Sequence, residues 1–167
     1  AALPLVKVIA NDVPSLKKQF AHVHAIIQVS AKDPDAPGGK VGMHFVVNSD
    51  EWLVHLNKVD PNPHVELEFK SVEAMNAFFK GKMSPATLPK MKGVVTHFGA
   101  FKAFLMTLLK MSSLLGATEA PKDEATKELM VKCFFYLLSS GISQLNKMGH
   151  EDIHDWTSKS PDRVYAW

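Results

Sequence analysis

The sequence predicts an α+β protein that forms one domain over residues 1–167. Apolar residues alternate with polar ones in several short segments, which is typical of strands, and recur every three or four positions in others, which is typical of helices. The predicted order is a helix, three strands, a helix, a strand and two helices, unlike the strict alternation of a parallel sheet. The chain is long enough to bury a core without a disulfide or a structural metal.

The first predicted element is a helix that begins near Asn11 and ends before residues 32–39. Pro14 suits its first turn, where the missing N–H has no helical partner to lose. An apolar stripe follows at spacings of four, three and four residues, formed by Leu16, Phe20, Val23 and Ile27. Two prolines and two glycines within residues 32–39 end this helix.

Three strands are predicted next, over residues 41–47, 52–56 and 65–69, because apolar residues occupy every second position in each. Turn-forming residues separate them. In the third strand, Glu66 and Glu68 alternate with apolar residues, which is typical of a strand with one face in water. The short connections predict an antiparallel meander, in which each strand pairs with the next.

The second half of the chain is predicted to be mainly helical. A short helix over residues 72–80 begins at Ser71 as N-cap and stops at Gly81. A fourth strand over residues 91–98 follows, with a bend or bulge at Gly93. Two long helices come next, over residues 100–115 and within residues 122–148, and each is followed by a glycine. Residues 150–167 form a polar tail.

The two late helices are too apolar for helices that cover a core with one face only. The last helix carries two apolar stripes, formed by Leu129, Cys133, Leu137 and Leu145 and by Val131, Phe135, Leu138 and Ile142. A helix with two apolar faces has to cover both of them. A thick core, a homodimer interface and a cavity for an apolar ligand would each do so, and the pattern alone does not separate these three.

A motif after the short helix resembles a known family. Residues 78–85 read FFKGKMSP and residues 91–95 read MKGVV. This pair resembles the signature of the sterol carrier protein type two family, in which a helix ends in a Gly-Lys-Met/Leu-x-Pro turn and a Gly-Lys-rich loop leads into a strand. The order of elements matches that family over residues 13–115, and the last long helix extends beyond it.

The resemblance implies a five-stranded, mostly antiparallel sheet that is covered by helices, with a hydrophobic tunnel between the sheet and the late helices. Family members bind fatty acids, fatty acyl-CoA esters, sterols or other lipids and are not catalytic in this domain. We therefore expect a lipid carrier with no catalytic residue, no cofactor and no metal. The residues expected to line the tunnel are Phe79, Met83, Phe101, Phe104, Leu105, Leu108, Phe134, Phe135 and Leu138.

Composition narrows the partners further. The net charge is only +2 and Arg163 is the only arginine, which argues against a nucleic-acid partner. Four lysines around the mouth of the implied tunnel would favour transient contact with an anionic membrane surface, and these are Lys80, Lys82, Lys90 and Lys92. No apolar run approaches the ~18 residues of a membrane span. With a single cysteine and no Ser-Lys-Leu address at its end, the chain is expected to be cytoplasmic.

The alternative from another class is a small enzyme. His150, Glu151 and His154 match the H-E-x-x-H pattern, in which two histidines on one helix face bind zinc and the glutamate acts as general base. Gly149 lies just before the match, where a helix is expected to end. A catalytic zinc needs a third protein ligand, and none of the following thirteen residues is a histidine or a glutamate. We therefore expect no zinc here.

Overall fold

The computed structural model describes residues 3–80, 82, 84–115 and 121–147. The helices are α1 (Leu5–Asp12), α2 (Pro14–Phe20), α3 (Val72–Phe79), α4 (Phe98–Leu115) and α5 (Glu124–Lys147). The strands are β1 (His24–Lys32), β2 (Lys40–Asn48), β3 (Glu51–His55), β4 (Val65–Phe69) and β5 (Lys90–Lys92). A 3-10 turn over Pro37–Gly39 leads into β2. The α+β class is confirmed.

The five strands form one mixed sheet in the order β3-β2-β1-β4-β5. Three of its neighbouring pairs are antiparallel, and β1 with β4 is the parallel pair. The expected five-stranded, mostly antiparallel sheet is therefore confirmed. The meander is wrong, because β4 pairs with β1 rather than with β3. Residues 56–64 carry the chain across one face of the sheet to reach that position, and their contacts with β2 and β1 hold them there.

The prediction of one long first helix is also wrong. Its helical part ends at Phe20, and the central strand β1 follows from His24. Ile27 fits a helical stripe with Phe20, but it also fits an alternation with Ala25 and Val29. All three residues of that alternation are buried against the helices. The local pattern fits both a helix and a strand, and burial in the middle of the sheet selects the strand. Helix α1, which the sequence reading missed, precedes α2 and buries its apolar face as well.

Most of the later elements agree with the sequence. The β2–β3 hairpin, β4, α3, α4 and α5 lie where they were predicted, and the side chain of Ser71 accepts a hydrogen bond from the backbone N–H of Ala74 at 3.2 Å. The fourth predicted strand is shorter than expected, because β5 ends at Lys92 and α4 begins at Phe98. The described residues do not include the predicted helix ends at Gly81, Gly116 and Gly149, nor the tail.

One face of the sheet packs against the helices. β1, β2 and β4 turn alternate residues toward α1, α2 and α4, and the largest fully buried rings there are Phe20, Phe45, Phe69 and Phe104. α1 lies among the helices and packs against α2, α4 and α5. The helical layer is therefore two helices deep at α5, which contacts α1 rather than the sheet.

The other face of the sheet differs from the sequence prediction. Glu66 and Glu68 were expected to face water, yet only 4% and 8% of their surfaces are exposed. The strands β1 and β5 flank β4 on both sides. Lys92 from the adjacent strand β5 and Lys40 from β2, which lies beyond β1, extend over the two carboxylates and form ion pairs with both. Tertiary pairing thus buries charges that the local alternation assigns to solvent.

Gly93 is the point at which the chain leaves β5, and its φ of +71° lies in the left-handed region. An added Cβ would overlap the carbonyl oxygen of His64. Gly93→Ala is therefore expected to lower the free energy of unfolding by at least about 1–2 kcal/mol. Gly99→Ala is the control, because open space surrounds that position. In α4 it should raise stability by up to about 1 kcal/mol. Urea unfolding measures both, and shifts of the same sign would contradict this account.

Candidate functional site

An apolar cavity of about 180 Å³ lies between α1, α4 and α5. The described residues of its walls are all aliphatic, aromatic or sulfur-containing, namely Leu5, Ile9, Met111, Leu114, Met130, Cys133, Phe134 and Leu137. We refer to it as the apolar cavity. It has the character of a site for a nonpolar molecule, because none of its lining side chains carries a charge.

The spacing of residues along each helix explains the walls. Leu5 and Ile9 lie four residues apart on α1, and Met111 and Leu114 lie three apart on α4. On α5, the lining residues begin at Met130 and follow at intervals of three, one and three residues. Residues three and four apart share one face of a helix, so each helix presents a single stripe to the cavity.

The cavity has a buried floor and an exposed rim. The side chains from α1 and α4 and the thiol of Cys133 are all buried. Met130 and Phe134, by contrast, are 37% and 48% exposed. These two side chains therefore form the edge at which a ligand would enter from solvent.

Further apolar side chains are exposed on the same two helices. More than a third of the surface is exposed for each of Leu105, Met106, Leu109, Met130, Val131, Phe134 and Phe135. The rings of Phe134 and Phe135 meet edge to face, with centroids 5.9 Å apart. Exposed apolar surface of this kind commonly marks a binding surface. The apolar residues that α4 and α5 carry beyond one buried face therefore lie in the apolar cavity or are exposed to solvent.

The residues that the sequence assigned to ligand lining are distributed over several environments. Of these, Phe134 lies in the wall of the apolar cavity. Phe104 and Leu108 are buried, and the ring of Phe104 lies 5.7 Å from that of Phe45 in the sheet. Leu105 and Phe135 are exposed, and Phe101 and Leu138 are partly buried. Phe79 packs against Phe69 and Phe78, and Met83 lies outside the described residues.

Sequence reasoning missed most of the lining. Leu5 and Ile9 were missed because α1 was not recognised as a helix. Met111 and Met130 were not singled out, although they lie on the helical stripes of their own helices. The signal for the contribution of α5 was present as a spacing of three and four residues that leads from Met130 to Leu137. That signal shows only which residues share a face, and not that α1 and α4 lie opposite.

Cys133 is a free thiol in the wall of the apolar cavity. Burial and the nearby carboxylate of Asp12 raise the pKa of this thiol. The thiolate, which is the reactive form, is therefore disfavoured at neutral pH. Cys133 accordingly acts as an apolar wall group.

Within the described residues, no group of three or more His, Cys, Asp and Glu side chains could hold a metal ion. The H-E-x-x-H match, with His150, Glu151 and His154, lies outside those residues. The rings of His44 and His55 stack across β2 and β3 with centroids 4.6 Å apart.

The part of the chain that the structure describes contains no helix that is long and apolar enough to cross a membrane.

Two solved structures resemble this fold. A crystal structure of sterol carrier protein 2 aligns with 67% of this chain and 93% of its own, at 11% sequence identity and a TM-score of 0.46. The solution structure of a conserved hypothetical protein from Thermus thermophilus, described as a possible sterol carrier protein, aligns with 65% of this chain and 84% of its own. Its identity is 10% and its TM-score is 0.42. No protein-family model matches the sequence, and no curated protein matches it.

Proposed function

We propose that the protein is a noncatalytic carrier that binds the hydrocarbon part of a lipid in the apolar cavity. The observation that carries this proposal is the wall of eight uncharged side chains, four of them aliphatic, with a rim open to solvent. An apolar cavity of about 150 Å³ stays dry and takes up small hydrocarbons. A cavity of about 180 Å³ has room for one segment of an acyl chain, and the rest of the ligand would lie along the exposed apolar side chains.

Fatty acids and fatty acyl-CoA esters fit this cavity better than a rigid sterol does. Met111 and Met130 face the cavity, and unbranched methionine side chains adapt to ligands of different shape. Each methylene group that leaves water contributes about 0.8 kcal/mol. The affinity for fatty acids is therefore expected to rise with chain length until the cavity is full. A carboxylate or a CoA group would remain outside, since the walls offer no charged partner.

The absence of reactive groups in the walls supports binding rather than catalysis. Cys133 is the one titratable side chain among the lining residues that the structure describes, and its raised pKa disfavours the nucleophilic form. A hydrolase that acts through His150 and His154 is the weaker candidate, because Gly149, a residue type that commonly follows the end of a helix, directly precedes the match. The free thiol also suits a reducing compartment, and we propose that the carrier works in the cytoplasm.

Loading of the carrier would involve a membrane surface. Leu105 and Leu109 on α4 are exposed, and the exposed Lys102 lies on the same helix. Apolar side chains beside lysines suit transient contact with an anionic lipid surface. The same exposed residues would also suit a homodimer, which is the second candidate for this surface. Sedimentation of the ligand-free chain distinguishes the two, since a dimer would bury these residues at all times.

Filling the apolar cavity tests the carrier directly. Leu137→Trp adds bulk to its wall and is expected to weaken fatty-acid binding about tenfold or more, which corresponds to about 1.4 kcal/mol. Glu128→Trp is the matched control, because it adds the same ring at an exposed position of α5. Displacement of a fluorescent fatty acid by palmitate measures both. Binding that is absent from the unmodified chain, or that both variants weaken equally, would contradict the proposal.

The thiol of Cys133 provides a second measurement of the same site. Palmitate is expected to slow its modification by a thiol reagent, because the ligand would cover the sulfur in the wall. Unfolding also exposes the thiol, so the rate of modification is compared between the unmodified chain and the Leu137→Trp variant under conditions in which both are equally folded. Protection that persists in that variant would mean that the acyl chain lies elsewhere.

A further inference from the structure

A second and larger cavity lies on the sheet face that carries the buried carboxylates. Its volume is about 580 Å³, which is in the range of ordinary small-molecule sites. We refer to it as the polar cavity. Its lining residues come from β1, β2, β4, β5 and two loops, and are Gln28, Pro37, Gly38, Lys40, Val59, Asp60, Pro61, Asn62, Pro63, Glu66 and Lys92. None of these described lining residues belongs to an α-helix or to the apolar cavity.

The floor of the polar cavity is a network of two cations and two anions. Lys92 lies 3.0 Å from Glu66 and 2.9 Å from Glu68. Lys40 lies 3.2 Å from Glu66 and also contacts Glu68. Ser30 and Gln28 donate further hydrogen bonds to Glu66 at 2.7 and 2.9 Å. These contacts hold the carboxylate of Glu66 in one orientation, with its neighbours fixed around it.

Each lysine of this network keeps a donor for another molecule. An ammonium group has three N–H donors, and the two carboxylates use two of them on Lys40 and two on Lys92. Acceptors are present as well. Among the described residues, Lys92 is the one donor to the second carboxylate oxygen of Glu66. In the wall, one carboxylate oxygen of Asp60 accepts a hydrogen bond from the backbone N–H of Asn62, and the other accepts none from the residues that the structure describes. The cavity therefore offers donors and acceptors side by side.

The charges decide which ligand suits these groups. Lys40 and Lys92 balance Glu66 and Glu68, and Asp60 adds one negative charge in the wall. An anion would meet that negative charge, and a cation would compete with lysines that are already paired. A hydroxyl group, by contrast, donates and accepts without adding a charge that needs a partner. Pro37, Pro61, Pro63 and Val59 provide apolar walls for the C–H faces of such a molecule.

We propose that the polar cavity binds a small uncharged polyol, such as a cyclitol or a monosaccharide. This site is separate from the lipid site on the opposite side of the sheet. It is a binding site and not a catalytic one. Burial would raise the pKa of Glu66, but its four hydrogen-bond donors outweigh burial and lower that pKa to about 2. The carboxylate therefore remains an anion near neutral pH and exchanges no proton with a ligand.

The loop that forms one wall is held in place before any ligand arrives. The side-chain oxygen of Gln28 accepts a hydrogen bond from the backbone N–H of Asp60 at 2.6 Å. The Nδ1 atom of His44 donates to the carbonyl oxygen of Lys58 at 2.9 Å. A loop that is already ordered loses little conformational entropy on binding, which favours a weakly interacting ligand such as a polyol.

Titration with myo-inositol, followed by ¹H–¹⁵N NMR of the full chain, tests this proposal. Saturable shifts are expected for the amides of Gln28, Gly38, Asp60 and Asn62, while the amides of α5 remain unchanged. Val59→Trp fills the polar cavity and should weaken binding about tenfold or more. Asn62→Trp does the same from the loop, so the test does not depend on the folding of one variant.

The controls separate this site from the lipid site and from general charge effects. Lys90→Met removes an exposed lysine from the same strand as Lys92 and should leave the inositol affinity unchanged. Leu137→Trp should also leave it unchanged, even though it blocks the apolar cavity. The proposal is overturned if myo-inositol and glucose cause no saturable shifts, or if those shifts survive both filling variants. Binding of phosphate or glutamate in place of the polyols would overturn it as well.

Discussion

Replacing Phe104 with alanine is expected to lower the free energy of unfolding by about 3–5 kcal/mol. Phe104 is fully buried, and its ring lies 5.7 Å from that of Phe45, so α4 packs onto the sheet through this contact. Truncation would remove both the apolar burial and the ring contact and would leave a cavity that the surroundings fill only in part. Urea unfolding, monitored by circular dichroism, measures the loss.

Phe134→Ala is the matched control for this prediction, because it truncates the same side chain at the exposed rim of the apolar cavity. It should cost less than about 1 kcal/mol of stability, as substitutions on the surface generally do. Its effect should appear in fatty-acid affinity instead. A reversed result, in which Phe104→Ala preserves stability and changes ligand preference, would make Phe104 a lining residue, as the sequence predicted.

Protonation of Glu66 alone at low pH is expected to lower the free energy of unfolding by about 3 kcal/mol. Its pKa is about 2 in the folded protein, against an ordinary value of 4.5. A group with a lowered pKa stabilises the fold fully above its unfolded value. That contribution declines as the pH falls from about 4.5 to about 2, since the folded state must then accept a proton that breaks the ion pairs. Urea unfolding at a series of pH values follows the decline.

Glu66→Gln isolates the contribution of this carboxylate, because glutamine keeps the shape and does not titrate. Unfolding free energy of this variant should vary less between pH 4.5 and 2 than that of the unmodified chain. Glu68→Gln is the comparison. The pKa of Glu68 is lowered too, chiefly by its hydrogen bonds from Lys40 and Lys92, but Glu68 lacks the additional donors Ser30 and Gln28. An unchanged slope in Glu66→Gln would show that the network does not stabilise the fold.

Local signals in the sequence were sufficient for the elements that lie between clear turns. The β2–β3 hairpin, β4 and α3 were predicted because alternation, turn residues and the Ser71 cap act over a few neighbouring positions. The two late helices were predicted for the same reason, since their apolar spacing continues over many turns. The sequence predicts a helix where β1 lies, because Ile27 satisfies both periods and no local residue distinguishes them.

The functional surfaces were accessible to sequence reasoning only in part. The excess of apolar residues in α4 and α5 predicted apolar surface beyond one buried face, and Phe134, which the sequence assigned to ligand lining, lies in the wall of the apolar cavity. Leu5 and Ile9 were not chosen, because their role depends on where α1 packs. The polar cavity gave no signal at all. Lys40, Glu66 and Lys92 are distant in sequence, and each one taken singly resembles a surface charge.

The sequence by itself determined the α+β class, the hairpin and the long apolar helices, because period and turn chemistry are properties of adjacent residues. Only the tertiary structure decided the strand order, the parallel pairing of β1 with β4 and the contents of both cavities. The physical reason is that these features depend on burial, which is a property of the whole assembled chain. Pairing of β4 between β1 and β5 buries Glu66 beneath two lysines, and packing of α1 against α4 and α5 encloses the apolar cavity.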